Sequence, residues 1–286
     1  MPSRMLGRRP PKRAPALKLS RFLTGAVPAH PPAADHFAQV GDWGLYTNDK
    51  YGVCGPTSVA NQRKLVSKYL GGAEQSPTLA DVYDLYRRSG NPTFNPATGA
   101  GDNGVDMQTM LEALLAGGIG GVKPLAFAAV DARDLDEMRA AISIFGSVLL
   151  GVDLETAQDA QTDAGLWDYR RTPEWGGHAV VSGRYVDVTP DRGDRTAVVT
   201  WAHVVDMTDA FVQHQVEEAW VVIWAEHLGA RAFQEGVDQV ALAAAYEELT
   251  GRPFPAPVTP PAPPTPVGAD QALAQAMRSW LSAKGL

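Results

Sequence analysis

Asn48-Asp49-Lys50-Tyr51-Gly52-Val53-Cys54-Gly55-Pro56-Thr57-Ser58 is the stretch whose reading decides the fold. Polar and turn-forming residues run up to Gly52, and from the cysteine onward the pattern becomes helical. The spacing predicts a helix over residues 54–70, closed by Gly71 and Gly72. Cys54 then opens that helix, where the dipole and the unpaired N–H groups of the first turn favour a thiolate. It is the only cysteine among 286 residues, so an internal disulfide is excluded. A buried core residue, a reactive thiol and an intermolecular partner are the readings it leaves open.

A second cluster lies far along the chain: Glu174-Trp175-Gly176-Gly177-His178-Ala179-Val180-Val181. Here a histidine follows two glycines and opens a β-rich run. The glycines permit close approach of another backbone, and a strand holds an imidazole rigidly. A cysteine and a histidine this far apart in sequence are the expected layout for thiol catalysis.

Between and beyond these clusters the periodicity predicts helices over residues 78–88, with Leu79, Val82, Tyr83 and Tyr86 on one face, from an Asp106 cap to Gly117, and over residues 134–144. Residues 147–152, 178–188, 196–201 and 219–224 read as strands, and a short helix is expected over residues 207–213. A helical first half followed by an antiparallel sheet is the α+β class.

Four segments are expected: a basic, Pro-rich extended arm (1–40), a domain (41–250), a Pro-rich linker (251–268) and a terminal amphipathic helix (269–286). Residues 1–21 carry Arg4, Arg8, Arg9, Lys12, Arg13, Lys18 and Arg21 with no acidic residue, on a chain of net charge −7. Such an arm binds something anionic, whether nucleic acid, an acidic protein surface or its own body, or stays solvated. Eight prolines between residues 253 and 267 favour polyproline II. The helix after them carries Leu273, Met277, Trp280 and Leu281 as one stripe, suited to a groove on a partner or on its own domain.

No run of 18 apolar residues and no secretory signal is visible, so neither a membrane nor export is expected. Phosphate-binding and dinucleotide glycine patterns are missing, and no cofactor is expected. His203, Asp206 and His214 match no common zinc spacing and read as loop and helix. Asp102-Asn103-Gly104 starts like a calcium loop but lacks its later acids; a turn is the simpler reading.

Cysteine on the first core helix, further helices, then histidine entering an antiparallel sheet: this order resembles the papain-like cysteine peptidases, over roughly residues 43–224. The resemblance implies Cys54 as nucleophile and His178 as base. It implies an oxyanion-hole amide six residues before the cysteine, where this chain has the shorter Asn48 in place of glutamine. Val199 or Thr200 stands where the family has its orienting amide, with Thr200 the candidate and Trp201 the tryptophan that follows. Asp187 could orient the ring only if a turn brought it back. Trp175, Gly176, Gly177 and Trp201 are expected to line the cleft. Nearly the whole chain also resembles proteins of actinobacterial tailed phages and prophages, in residues 46–54 and 102–106, in Gly-Gly-His-Ala and in the Pro-rich tail. That implies a virion-associated accessory protein of capsid or tail, in the virion or the host cytoplasm, whose termini bind neighbouring subunits. The alternative is an active peptidase or amidase working on a peptide substrate through a Cys54 thioester.

Overall fold

The computed structural model describes residues 4–25, 27–187 and 194–257. The C-terminal helix and most of the Pro-rich linker expected from the sequence lie outside them. Strand β1 (Ala33–Asp35) is followed by α1 (Cys54–Tyr69), α2 (Leu79–Arg88) and α3 (Met107–Gly117). Thr78 caps α2 in a reciprocal box with Asp81, and Asp106 caps α3 through the Thr109 N–H. Next come β2 (Ala126–Val130), α4 (Leu135–Phe145), β3 (Val148–Glu155), α5 (Ala157–Ala164) and β4 (Leu166–Trp167). The second half holds β5 (Glu174–Val186), β6 (Arg195–Thr200), β7 (His203–Thr208), α6 (Asp209–Gln215) and β8 (Val216–Ile223), then α7 (Arg231–Gly236) and α8 (Gln239–Thr250).

The strands form one sheet in the order β2-β8-β3-β5-β6-β7-β4, with β1 added alongside β5. All pairings are antiparallel apart from β4 with β7. An apolar cluster lies on each face. One holds Val59, Leu65, Val66, Val82, Leu85 and Leu114; the other holds Ile142, Phe145, Leu150, Val180, Phe211 and Phe233.

Helix α1 is buried from Cys54 to Ser67 in spite of its polar residues, because each of those named next has a partner. Asn61 both donates to and accepts from the Gly44 backbone, Lys64 pairs with Asp42, and Arg63 meets Gln75 and Glu226 while lying over the Trp224 ring. Ser58 donates to the Ala179 carbonyl on β5, which fixes the start of α1 against the middle of the longest strand.

Several expectations are corrected. His178 does not open its strand but lies inside β5, which begins at Glu174. Residues 203–208, expected as loop and helix, form β7 in a hairpin with β6. The turn was hidden because Trp201 and Ala202, both at positive φ (45° and 64°), take the positions where Asn-Gly is the usual signal. On α2, Leu79 is exposed and Leu85 joins the core instead. The described part of the arm includes 3-10 turns at Leu19–Arg21 and Phe37–Gln39 and is packed: Leu19 and Phe22 are fully buried, and Lys18 and Leu23 bridge to Ala129 and Val237. Asp187 faces Arg139 at 3.5 Å and not His178.

Candidate active site

The site lies where the N-terminus of α1 meets the middle of β5. Gly55 lets α1 start there, since a Cβ would come within 2.6 Å of Val105 Cγ2 and 2.8 Å of Met110 Sδ. Backbone N–H groups of Ala179, Gly7 and Gly55 bear on the Cys54 sulfur. Ala179 is the neighbour of His178, so thiol and imidazole belong to one small region. The His178 Nε2 is 2.8 Å from Thr200 Oγ1, and Nδ1 is buried with no hydrogen-bond partner among the described residues. Trp201 stacks on the imidazole, centroids 4.2 Å apart and planes 10° from parallel, and Trp175 stacks on Trp201 in turn at 5.8 Å. Trp201 stands in the turn from β6 to β7 with a left-handed backbone, φ 45°. Thus Thr200 and Trp201 hold the imidazole from edge and face.

The cleft is filled by the chain's own arm. Val105 N–H donates to Gly7 O and Arg9 N–H to Val105 O, each at 2.7 Å, while the N–H groups of Gly7 and Arg8 both point to Gly177 O at 3.2 and 3.0 Å. The segment thus lies between the loop at Val105, which Arg8 meets in an isolated bridge, and the start of β5. Its walls are glycines because side chains would not fit. A Cβ on Gly104 would sit 2.2 Å from Gly7 O, one on Gly177 2.4 Å from Arg8 O, and one on Gly7 2.2 Å from Gly52 O. A Cβ on Gly176 would lie 3.0 Å from Leu6 Cδ1.

Asn48 is buried, and its Nδ2 donates to Met5 O at 3.1 Å and to Tyr51 O at 3.3 Å. Its amide therefore reaches a carbonyl of the arm that lies in the cleft. Asp102 accepts from Gly52 N–H and from the Tyr86 hydroxyl, and that hydroxyl accepts from Gly104 N–H. Residues 102–104, expected as a turn, are irregular backbone just after the turn that ends at Gly101, and the Asp102 carboxylate braces the loop leading into Cys54.

Burial dominates the electrostatics. Cys54 and His178 are both fully covered. Burial pushes the thiol up to about 11, against the pull of the N–H groups and of Arg8. Burial, then the positive charge of Arg8, holds His178 down to about 3. With the arm in place the pair is therefore neutral thiol and neutral imidazole.

The arm's charge is answered by the body. Arg4 pairs with Asp159 and Asp163 and lies over Trp201, Arg8 pairs with Asp153 and Glu218, and Arg13 pairs with Glu112. Reading the sequence missed Arg8, Val105, Asp153 and Glu218 as parts of the site. The available signal was the pair of acids Glu217-Glu218 inside an otherwise apolar strand. Asp206 pairs with Arg184 and His214 stacks on Tyr169, so these residues have structural partners. Among the described residues, His30, Asp136 and Asp187 are close enough to share a cation, but Arg139 already answers Asp187.

No protein-family model matches the chain, and no curated protein matches it in sequence. Solved structures do. Xylellain, a cysteine protease from Xylella fastidiosa, superposes with a TM-score of 0.59 at 13% identity, covering 79% of this chain and 98% of that one. A proCathepsin B from Trypanosoma congolense gives 0.53 at 11%, covering 78% and 87%. The Amb a 11 cysteine protease of ragweed pollen, in its proform, gives 0.52 at 14%, covering 70% and 67%. The fold is that of the papain-like cysteine proteases.

Proposed function

We propose that the chain is a cysteine peptidase whose N-terminal segment holds it latent. The observation that carries this reading is the segment 5–9 itself: a polypeptide laid across Cys54 and hydrogen-bonded through its backbone to Val105 on one side and Gly177 on the other. A groove that takes one extended peptide by its backbone takes another of similar shape. Once the arm leaves, the helix terminus and the remaining N–H groups of Ala179 and Gly55 favour the thiolate, and His178 can accept the proton. The thiolate attacks the scissile carbonyl carbon, and its oxyanion is met by the Cys54 N–H and the Asn48 amide. The imidazolium of His178 protonates the leaving amine, the C–N bond breaks, and a thioester remains. Water, deprotonated by His178, then hydrolyses the thioester and frees Cys54.

The test is the rate of Cys54 alkylation against pH in wild type, Arg8→Ala and Arg8→Ala/His178→Ala. The expected result is slow reaction in wild type. Arg8→Ala should react at least tenfold faster, with a plateau below the ordinary thiol range of about 8.5 that vanishes with His178. An ordinary or inert thiol in all three would overturn the reading.

The second reading, a virion accessory protein whose termini bind neighbouring subunits, rests on the sequence resemblance. It needs only the scaffold and accommodates an inert thiol. Among the described residues no helix is long and apolar enough to cross a membrane.

A further inference from the structure

We propose that the pocket beneath Arg8 is a subsite for a cationic side chain, so that the substrates are peptides with arginine or lysine beside the bond that is cut. This deepens the peptidase reading and rests on it. Gly7 lies at the thiol, and the next residue, Arg8, sends its side chain into the body, leaving it 1% exposed. There Nη1 is 3.0 Å from Glu218 Oε1, and Nη2 contacts Asp153 Oδ1. The other Glu218 oxygen accepts from Trp220 Nε1 at 2.9 Å, which fixes the carboxylate's orientation. Gly151 stands opposite Glu218 on β3 and makes the hollow: a Cβ there would come within 2.7 Å of Arg8 Cδ and 2.6 Å of Glu218 Cγ.

Charge selects the occupant. Glu218 is 8% exposed even as part of a pair, so an apolar side chain in place of Arg8 would leave a buried carboxylate with an indole N–H as its remaining partner. Asp153, half exposed, stands at the mouth and adds a second negative charge. Arg8 Nε finds no partner among the described residues, so the pocket reads the charged tip more than the whole guanidinium fork, and lysine is admitted with arginine. The cation also bears on the chemistry, since its field favours the Cys54 thiolate and disfavours a protonated His178. The arm satisfies the subsite with its own arginine, and a substrate must bring another.

Two measurements on the full chain test this. First, Arg8→Ala is titrated with ethylguanidinium and with neutral ethylurea while its melting temperature is followed. Ethylguanidinium should raise it by several degrees, ethylurea should not, and the difference should vanish in Arg8→Ala/Glu218→Gln. Equal effects of the two compounds overturn the proposal. Second, Arg8→Ala is given a mixed peptide library and its cleavage sites are read by mass spectrometry. At least tenfold enrichment of arginine and lysine at one position next to the cut, lost with Glu218→Gln, is the expected result. Cleavage without that enrichment overturns the subsite and leaves the peptidase. No cleavage, with an ordinary thiol by alkylation, overturns the peptidase and the substrate assignment with it.

Discussion

At the residue scale the site depends on two side chains that hold a third. His178 is oriented by a threonine hydroxyl at 2.8 Å and by an indole stacked on its face. A hydroxyl can accept the Nε2 proton as an amide carbonyl would, though it rotates where an amide is planar. Thr200→Val keeps the volume and removes that acceptor. In the arm-released background it should lower kcat/KM by up to about tenfold, the worth of about 1–1.5 kcal/mol for a buried hydrogen bond. The imidazole titration followed by NMR should shift with it. Unchanged kinetics and titration would remove Thr200 from the site. Cys54 and His178 were legible in the sequence because each stands in a short pattern with a local physical meaning: a thiol at a helix start, an imidazole beside glycines. Thr200 was legible only as a position relative to Trp201.

Among elements, the informative contact is between the arm and β5. Segment 5–9 is held by backbone hydrogen bonds on both sides and by the Arg8 ion pairs, and its fit depends on glycine walls. Gly177→Ala inserts a methyl 2.4 Å from Arg8 O, a position no Cβ tolerates, at a residue outside the left-handed region. The arm should give way before the sheet does, because the strand around Gly177 is paired with Asp153 on β3. Alkylation of Cys54 should rise about tenfold or more in this variant, with the melting temperature little changed. A thiol as slow as wild type would mean that the arm does not cover it. The hairpin of β6 and β7 belongs to this scale too. It escaped sequence reading because its turn, Trp201-Ala202, is held in an unfavourable conformation by the packing of Trp201 against His178, Trp167 and Trp175.

For the molecule as a whole, the buried histidines set a limit on stability in acid. Burial holds His36, His178 and His227 below their ordinary range. The unfolded chain takes up protons at these sites as pH falls through about 6.5 while the folded chain resists, to about 3 for His178, so stability is lost over that interval. Cys54 acts at the other end: its folded thiol stays neutral to about 11, and stability declines once the unfolded thiol ionises above about 8.5. The melting temperature should therefore be highest between about pH 6.5 and 8.5, and His178→Gln should flatten the acid limb. A melting temperature unchanged from pH 7 to pH 4 would show that these rings are open to water.

The sequence by itself determined the α+β class, helix α1 with its thiol, the Asp106 cap of α3, and the two short patterns that hold cysteine and histidine. These are local: periodicity, capping and turn chemistry act within a few residues, so they can be read from a few residues. Only the tertiary structure decided where the basic arm goes. Its composition was equally suited to nucleic acid, to a neighbouring protein or to its own body, and the described part lies on its own body. What settled this is contact between residues far apart in sequence: Arg8 with Glu218, Gly7 with Val105 and Gly177. Complementarity of that kind exists only after the sheet has brought the acids of β3 and β8 together beneath the cleft; the acids of β8 stand out locally, but nothing local joins them to Arg8.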